Sequence, residues 1–188
     1  IRDRLYNKPA GLMSQKAEPD DVSVNEMFLA YLLQEGKLTQ EQMATCTPSI
    51  CNRLDRDTSG ILICGKTYEG LKEMNALIKE RRIGKFYRCI VSGSVNEKIT
   101  LTGDLAKDEK TNQVTLRQTS FPGASYSETS IVPIRQYQGG LSLLEIHLIT
   151  GKTHQIRAHL ASIGYPILGD YKYGKRKLND RYGIKSQL

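Results

Sequence analysis

Ile61-Leu62-Ile63-Cys64 is the stretch that most constrains how this chain folds. It is continuous apolar sequence closed by Gly60 on one side and Gly65 on the other, and such a run reads as a buried strand. The residues before it have the opposite character. Asn52-Arg53-Leu54-Asp55-Arg56-Asp57-Thr58-Ser59-Gly60 places two arginines and two aspartates in nine residues and ends on a Thr-Ser-Gly turn. In an extended segment Arg53 and Asp55 point to one side and Leu54 points into the core. A carboxylate in a cleft needs a nearby cation to stay ionised, because burial alone raises its pKa. Arg56 or an arginine distant in sequence is the expected cation. On local sequence, a structural ion pair pinning a turn and a working carboxylate are equally good readings of Asp55.

Residues 60–67 also match G-x-x-x-x-G-K-[ST], the pattern of phosphate-binding loops. We reject the match on physical grounds. In such a loop the four intervening residues wrap phosphate with backbone N–H groups, and here they are Ile-Leu-Ile-Cys, which favour a strand. The segment before Gly60 is polar, where the motif requires a preceding strand.

The rest of the chain alternates. Residues 4–7 suit the end of a strand, and Lys8-Pro9-Ala10-Gly11 a turn. Residues 14–22 read as an exposed loop. A helix is expected from Ser23, with Val24, Met27, Phe28 and Tyr31 as its apolar stripe and Gly36 as its stop, while residues 37–48 give no clear signal. Thr67 caps a helix to about Arg82, with Leu71, Met74 and Ile78 facing inward. Lys85 to Val91 is a strand in which Lys85, Tyr87 and Cys89 share a face. Further strands are expected over 98–106, 113–118 and 125–135, with a polar turn at 108–112. The clearest strand is 141–149, with Leu144, Ile146 and Leu148 on one face. Gly151-Lys152-Thr153 then turns into a helix bearing Ile156, Leu160 and Ile163, ended by Gly164. Tyr165 to Asp170 is a short extended return. Several strands between three helices give a mixed α/β domain rich in antiparallel pairing.

Composition sets the class of partner. The 188 residues suit one domain or two small ones. A net charge of +7 points to a polyanion, most plausibly nucleic acid. Ten Tyr, three Phe and no Trp argue against a broad aromatic platform for single strands. The four cysteines show no C-x-x-C spacing and read as reduced, mostly buried thiols of a cytosolic protein. His154 and His159 are spaced so that they cannot share a metal on one helix face, and no zinc site is expected. No apolar run reaches the roughly 20 residues of a membrane span, and no signal peptide is evident. The chain starts at Ile1 and reaches Lys8-Pro9 at once, so a fragment is expected whose N-terminal part lies outside it.

Two other stretches carry chemistry. Tyr87, two residues after Lys85, is either a packed strand tyrosine or a substrate contact. Thr150-Gly151-Lys152-Thr153-His154-Gln155-Ile156-Arg157 offers a Gly turn, free N–H groups and a helix dipole to an anion. Arg157 lies one turn beyond Thr153 and could reach a carboxylate on another element. The plain alternative is a capped surface helix with a solvated arginine.

Together and in this order, these motifs resemble the RluA-type RNA pseudouridine synthases over residues 7 to about 174. Asn7-Lys8-Pro9-Ala10-Gly11 is similar to the family's first motif, Asn52 to Gly60 to its catalytic motif, and Lys85-Phe86-Tyr87 to its strand tyrosine motif. Thr150 to Leu160, Pro166 to Asp170 and Tyr173-Gly174 resemble its C-terminal signature. Asn52 stands where many members carry His, and Lys152 where many carry Arg. Many relatives have an S4-type RNA-binding domain before the first motif.

The resemblance implies a single α+β catalytic domain over 1–188, built on a central mixed, mainly antiparallel sheet flanked by helices, and acting in the cytoplasm as a monomer. It implies isomerisation of uridine to pseudouridine, with large-subunit ribosomal RNA as the first substrate class and transfer RNA the second. Asp55 would be the nucleophile or base, Arg157 would pair with it, and Tyr87 would stack on the uracil. Arg53 would enter the gap left by the extruded uridine, as a planar guanidinium suits. Lys85, Lys152, Thr153 and His154 would meet the RNA backbone. No metal or organic cofactor is implied. A second reading, from the charge and the expected missing N-terminal part, is a non-catalytic RNA-binding or RNA-folding module that kept the cleft; Asp55 argues against it.

Overall fold

A computed structural model describes residues 3–108, 113–117 and 123–184. They form two compact units, one ending at Ile83 and the other beginning at Gly84. The architecture is α+β, and every strand ladder among the described residues is antiparallel. The expected central sheet is seen as two sheets, one in each unit.

The first unit contains β1 (Asp3–Lys8), α1 (Val24–Gln34), α2 (Gln40–Thr45), β2 (Ser49–Ile50), β3 (Gly60–Gly65) and α3 (Tyr68–Lys79). The apolar run is β3, the middle strand of the order β1-β3-β2. It is not buried on both faces as expected. Leu62 and Cys64 are buried, whereas Ile61 is 59% exposed. The reason is the pleat: only one face of this sheet meets the core of Val24, Phe28, Leu32 and Leu38. In α1 the inward stripe is Val24, Phe28 and Leu32, so Met27 turns outward, against the expected stripe. The unassigned segment holds α2, opened by a capping box in which Thr39 and Gln42 exchange side-chain and backbone bonds. Thr67 caps α3 through the Gly70 N–H, as its sequence implies. That helix stops at Lys79, short of Arg82, because Arg81 takes a left-handed conformation (φ 59°) and the Arg82 N–H bonds back to Leu77 O.

The second unit contains β4 (Phe86–Ser92), β5 (Ile99–Asp108), β6 (Gln113–Arg117), β7 (Ser125–Tyr137), β8 (Leu141–Leu148), α4 (Gln155–Ser162) and α5 (Arg176–Arg181). Its strand order is β4-β8-β7-β5-β6. Residues 109–112, most of the expected polar turn, and residue 118 lie outside the described residues. Leu144 and Ile146 are fully buried beside Ile131 and Leu160, so α4 covers the face that Tyr87 and Cys89 share. Each such buried side chain contributes roughly 2 kcal/mol through lost apolar exposure. The return after α4 covers the free edge of β4: Ser92 N–H donates to Pro166 O and Leu168 N–H to Ile90 O. Burial pushes the Cys64 thiol up to about 11 and the Cys89 thiol up to about 12, so both stay protonated near neutrality.

His159 is a fully buried polar group inside this unit. Ser127 Oγ donates to Gly103 O at 2.7 Å and lies 2.8 Å from His159 Nε2. The hydroxyl's proton is committed, so His159 is the donor through Nε2 and is neutral, leaving Nδ1 without a partner among the described residues. Burial lowers its pKa from 6.5 to about 4. Between those values the unfolded chain binds the proton and the folded chain does not, so stability falls as pH falls through that window. From pH 7 to 4.5 His159 should remove roughly 2–3 kcal/mol of stability. Urea midpoints at the two pH values, compared for wild type and His159→Gln, measure this; equal losses in both proteins would refute it.

Candidate active site

In the first unit the segment carrying Asp55 is fixed from below. Asn52 acts as an extra ladder residue beside β3: its Oδ1 accepts from Ile63 N–H (2.8 Å) and its Nδ2 donates to Ile61 O (3.1 Å). Ser14 Oγ accepts from Leu54 N–H (3.0 Å) and donates to Leu54 O (2.7 Å), holding that residue by both main-chain groups. Leu54 packs on the core of the unit, as the alternation implies. Beyond it the chain reverses, with Thr58 N–H donating to Asp55 O at 3.1 Å. Asp55 stands half-buried at the start of this turn, and Arg53 is exposed.

The turn is gripped by the loop after β1. Gly11, at φ 86°, donates its N–H to Arg56 O at 2.9 Å and accepts Arg56 Nε at 3.2 Å. The expected cation Arg56 is therefore directed to a carbonyl. A cation beside the two aspartates is Lys8, which the sequence places in a turn and in the first motif without assigning it a role. Lys8 is fully buried, and its ammonium donates to Pro9 O (3.0 Å), Leu12 O (2.6 Å) and Arg56 O (2.7 Å). Burial pulls its pKa below the ordinary lysine value, and attraction to Asp57 and Asp55 pulls part of the way back. Both Asp57 carboxylate oxygens are buried without a hydrogen-bond donor among the described residues, so Lys8 balances that carboxylate through space.

In the second unit Tyr87 sits half-buried on β4, opposite Ile146 and against the core. Lys85 lies just before the strand, and its ammonium lies over the turn at Gly151, where an added Cβ would come within 2.9 Å of Nζ. Lys85 and the Gly151-Lys152-Thr153 turn are thus brought together. Lys152 and Thr153 are exposed. The turn differs from an open anion cradle. Gln155 is buried and turns back, so that its Oε1 accepts from Thr150 Oγ1 (2.8 Å) and Lys152 N–H (3.0 Å). Its Nε2 donates to Glu128 O (2.9 Å) and Thr129 Oγ1 (2.8 Å). A side-chain amide therefore holds the turn in shape from inside.

His154 takes a left-handed conformation (φ 51°) as it enters α4, uncommon for a residue with a side chain. Its Nδ1 lies 3.0 Å from Tyr173 OH, and that hydroxyl accepts from Val114 N–H at 2.7 Å. His154 is therefore tied to Tyr173 rather than standing as a plain surface contact. Arg157, in the first turn of α4, has a carboxylate partner in its own unit that sequence reading missed. Its Nε donates to Asp170 Oδ2 (2.8 Å) and its Nη2 to Asp170 Oδ1 (2.9 Å). Burial pushes the Asp170 carboxyl up, but the Arg157 bonds and the Tyr173 and Lys172 N–H groups outweigh it and hold the pKa below the usual value. The signal for this pair was the Gly-Asp ending of the return segment after α4. Among the described residues no cluster of three His, Cys, Asp or Glu is placed to hold a metal, and no helix is long and apolar enough to cross a membrane.

Residues 4–162 match the family model described as RNA pseudouridylate synthase. An uncharacterized RNA pseudouridine synthase of Chloroflexus aurantiacus is 35% identical over 91% of this chain and 52% of its own length. The ribosomal large subunit pseudouridine synthase D of Borreliella burgdorferi is 32% identical over the same shares. The chain therefore spans about half the length of the curated relatives it matches. Two solved human structures, RNA pseudouridylate synthase domain containing 1 and 4, share the fold. Their TM-scores are 0.69 and 0.72, at 22% and 20% identity, covering 95% and 99% of this chain and 69% of each neighbour.

Lys8→Met should remove three hydrogen bonds and leave two aspartates without their buried cation. The expected loss is on the order of 3–5 kcal/mol, the usual consequence of breaking a buried charge pair from one side. Urea unfolding reads it directly. A variant that keeps the wild-type midpoint would show that Lys8 does not hold the turn.

Proposed function

This chain belongs to the RNA pseudouridylate synthase family, and from that premise we propose that it isomerises specific uridines to pseudouridine, with large-subunit ribosomal RNA as its substrate. The observation that carries the reading is Asp55, on a turn clamped by Lys8, Gly11 and Ser14 inside the matched region. So constrained, the carboxylate meets its substrate in one orientation, which is where much of an enzyme's rate advantage arises. The choice of ribosomal RNA leans on the printed name of the Borreliella relative.

In the reaction the uracil N1–C1′ bond breaks, the base turns, and C5 joins C1′. The C5 proton leaves to solvent and N1 gains one, so atoms balance without a co-reactant. Asp55 serves as the nucleophile or base, a role open to a carboxylate ionised near neutral pH. Tyr87 supports the uracil face, and Arg157 contributes its positive charge to the same reaction. Extruding a uridine from folded RNA costs a few kcal/mol of stacking and pairing. Phosphate contacts from Lys85, Lys152, Thr153 and His154 offset part of that, with Arg53 filling the vacated space.

The test is tritium release from RNA carrying 5-tritiated uridine, using the full-length protein and Asp55→Asn. The variant should bind RNA with unchanged affinity and lose turnover by on the order of 10³-fold or more. Equal release by both proteins would overturn the catalytic assignment. No release by either, with tight binding by both, would favour a binding module instead.

A further inference from the structure

We propose that Asp170 is a positioning residue for the reaction, fixing the plane of the Arg157 guanidinium so that its opposite edge is presented in one orientation. This rests on the reading in which Arg157 takes part in catalysis. Four observations point to it. Asp170 is 4% exposed, and it grips Arg157 through two parallel bonds, the geometry that best fixes both position and plane. The carboxylate is itself immobilised: Oδ1 also accepts the N–H groups of Lys172 (2.9 Å) and Tyr173 (3.0 Å).

The backbone of Asp170 is fixed as well. Asn179, buried on α5, donates to Asp170 O (3.3 Å) and accepts from Gly169 N–H (2.8 Å). Gly174 closes over the same carbonyl so tightly that a Cβ there would lie 2.0 Å from Asp170 O. Finally, the guanidinium carbon lies 5.0 Å from the centre of the Tyr173 ring, whose hydroxyl is held by Val114 and faces His154. One edge and one face of Arg157 are thereby fixed, and the Nη1 edge points away from Asp170.

Stability alone does not account for this arrangement. Apolar residues of similar volume commonly stabilise a fold as well as a buried ion pair does. An oriented cation, in contrast, needs its supporting contacts to be rigid before substrate arrives.

The experiment measures single-turnover tritium release and RNA affinity for full-length wild type and for Asp170→Asn, Asp170→Glu, Arg157→Lys and Arg157→Ala. Asp170→Asn should bind RNA within about twofold of wild type and react roughly 10²-fold more slowly, as a misplaced group does. Asp170→Glu keeps the charge but shifts it by one methylene, and should also be slow while remaining folded by circular dichroism. Because Asp170 acts through Arg157, adding Asp170→Asn to Arg157→Lys should slow the reaction no further. Millimolar guanidinium should partly restore Arg157→Ala, and should fail when Asp170→Asn is also present.

Additive losses, absent guanidinium rescue, or wild-type rates for both Asp170 variants would overturn the proposal while leaving the role of Arg157 intact. Wild-type rates for both Arg157 variants would overturn that role and this proposal together. A wild-type protein that releases no tritium would overturn the activity itself.

Discussion

The first unit depends on one buried ammonium. Lys8 collects three backbone carbonyls from two segments that are far apart in sequence, Pro9 and Leu12 on one side and Arg56 on the other. A lysine buried this deeply is costly unless its donors and its charge are both met. Here the donors go to carbonyls and the charge is balanced by Asp57 and Asp55. The turn that carries Asp55 can therefore close only where Lys8 already stands, and Lys8 is placed by β1 pairing with β3. Strand register thus propagates directly to the position of the Asp55 carboxylate. A slip of one residue in β1 would send Lys8 to the opposite face and dissolve the clamp.

The second unit uses the same device with the sign reversed. There a buried carboxylate, Asp170, fixes a cation, Arg157; the carboxylate is held by backbone N–H groups, and Asn179 holds the main-chain carbonyl of the same residue. In each unit a hidden charge satisfied by backbone groups holds in place the segment or the side chain that carries the opposite charge. Gln155 plays the neutral version of this part beneath Lys152, using all four of its amide hydrogen-bonding positions. These anchors lie within the motifs that the sequence shows, but none of them was assigned a role there.

What the sequence revealed, and what it hid, follows from the range of the interactions. Periodicity and turn chemistry are local, so β3, α3 from its Thr67 cap, and β8 with Leu144, Ile146 and Leu148 inward could be read directly. The phosphate-loop pattern at residues 60–67 could be dismissed for the same reason, since Ile-Leu-Ile-Cys favours a strand whatever its glycines suggest. Errors came where one face of an element was decided by distant neighbours. Ile61 looked as apolar as Leu62 but lies on the uncovered side of a three-stranded sheet, and Met27 lost its place in the α1 stripe to Leu32. The partners of Lys8, Gln155 and Arg157 were hidden because a hydrogen bond across 48, 27 or 13 residues leaves no local pattern.

Positional strain adds a last constraint. His154 adopts a left-handed backbone where glycine would be the relaxed choice, and it does so between the Gly151-Lys152-Thr153 turn and α4. Two contacts make that conformation worth holding: its ring nitrogen meets Tyr173 OH, and its carbonyl accepts the Ala158 N–H that begins the helix. Tyr173 in turn supports the guanidinium of Arg157. A glycine at 154 would ease the backbone but withdraw the ring that braces Tyr173, loosening a face of the cation that Asp170 holds by its edge. Local comfort and rigidity of the Arg157 cluster therefore oppose each other at this residue, and the side chain present favours rigidity.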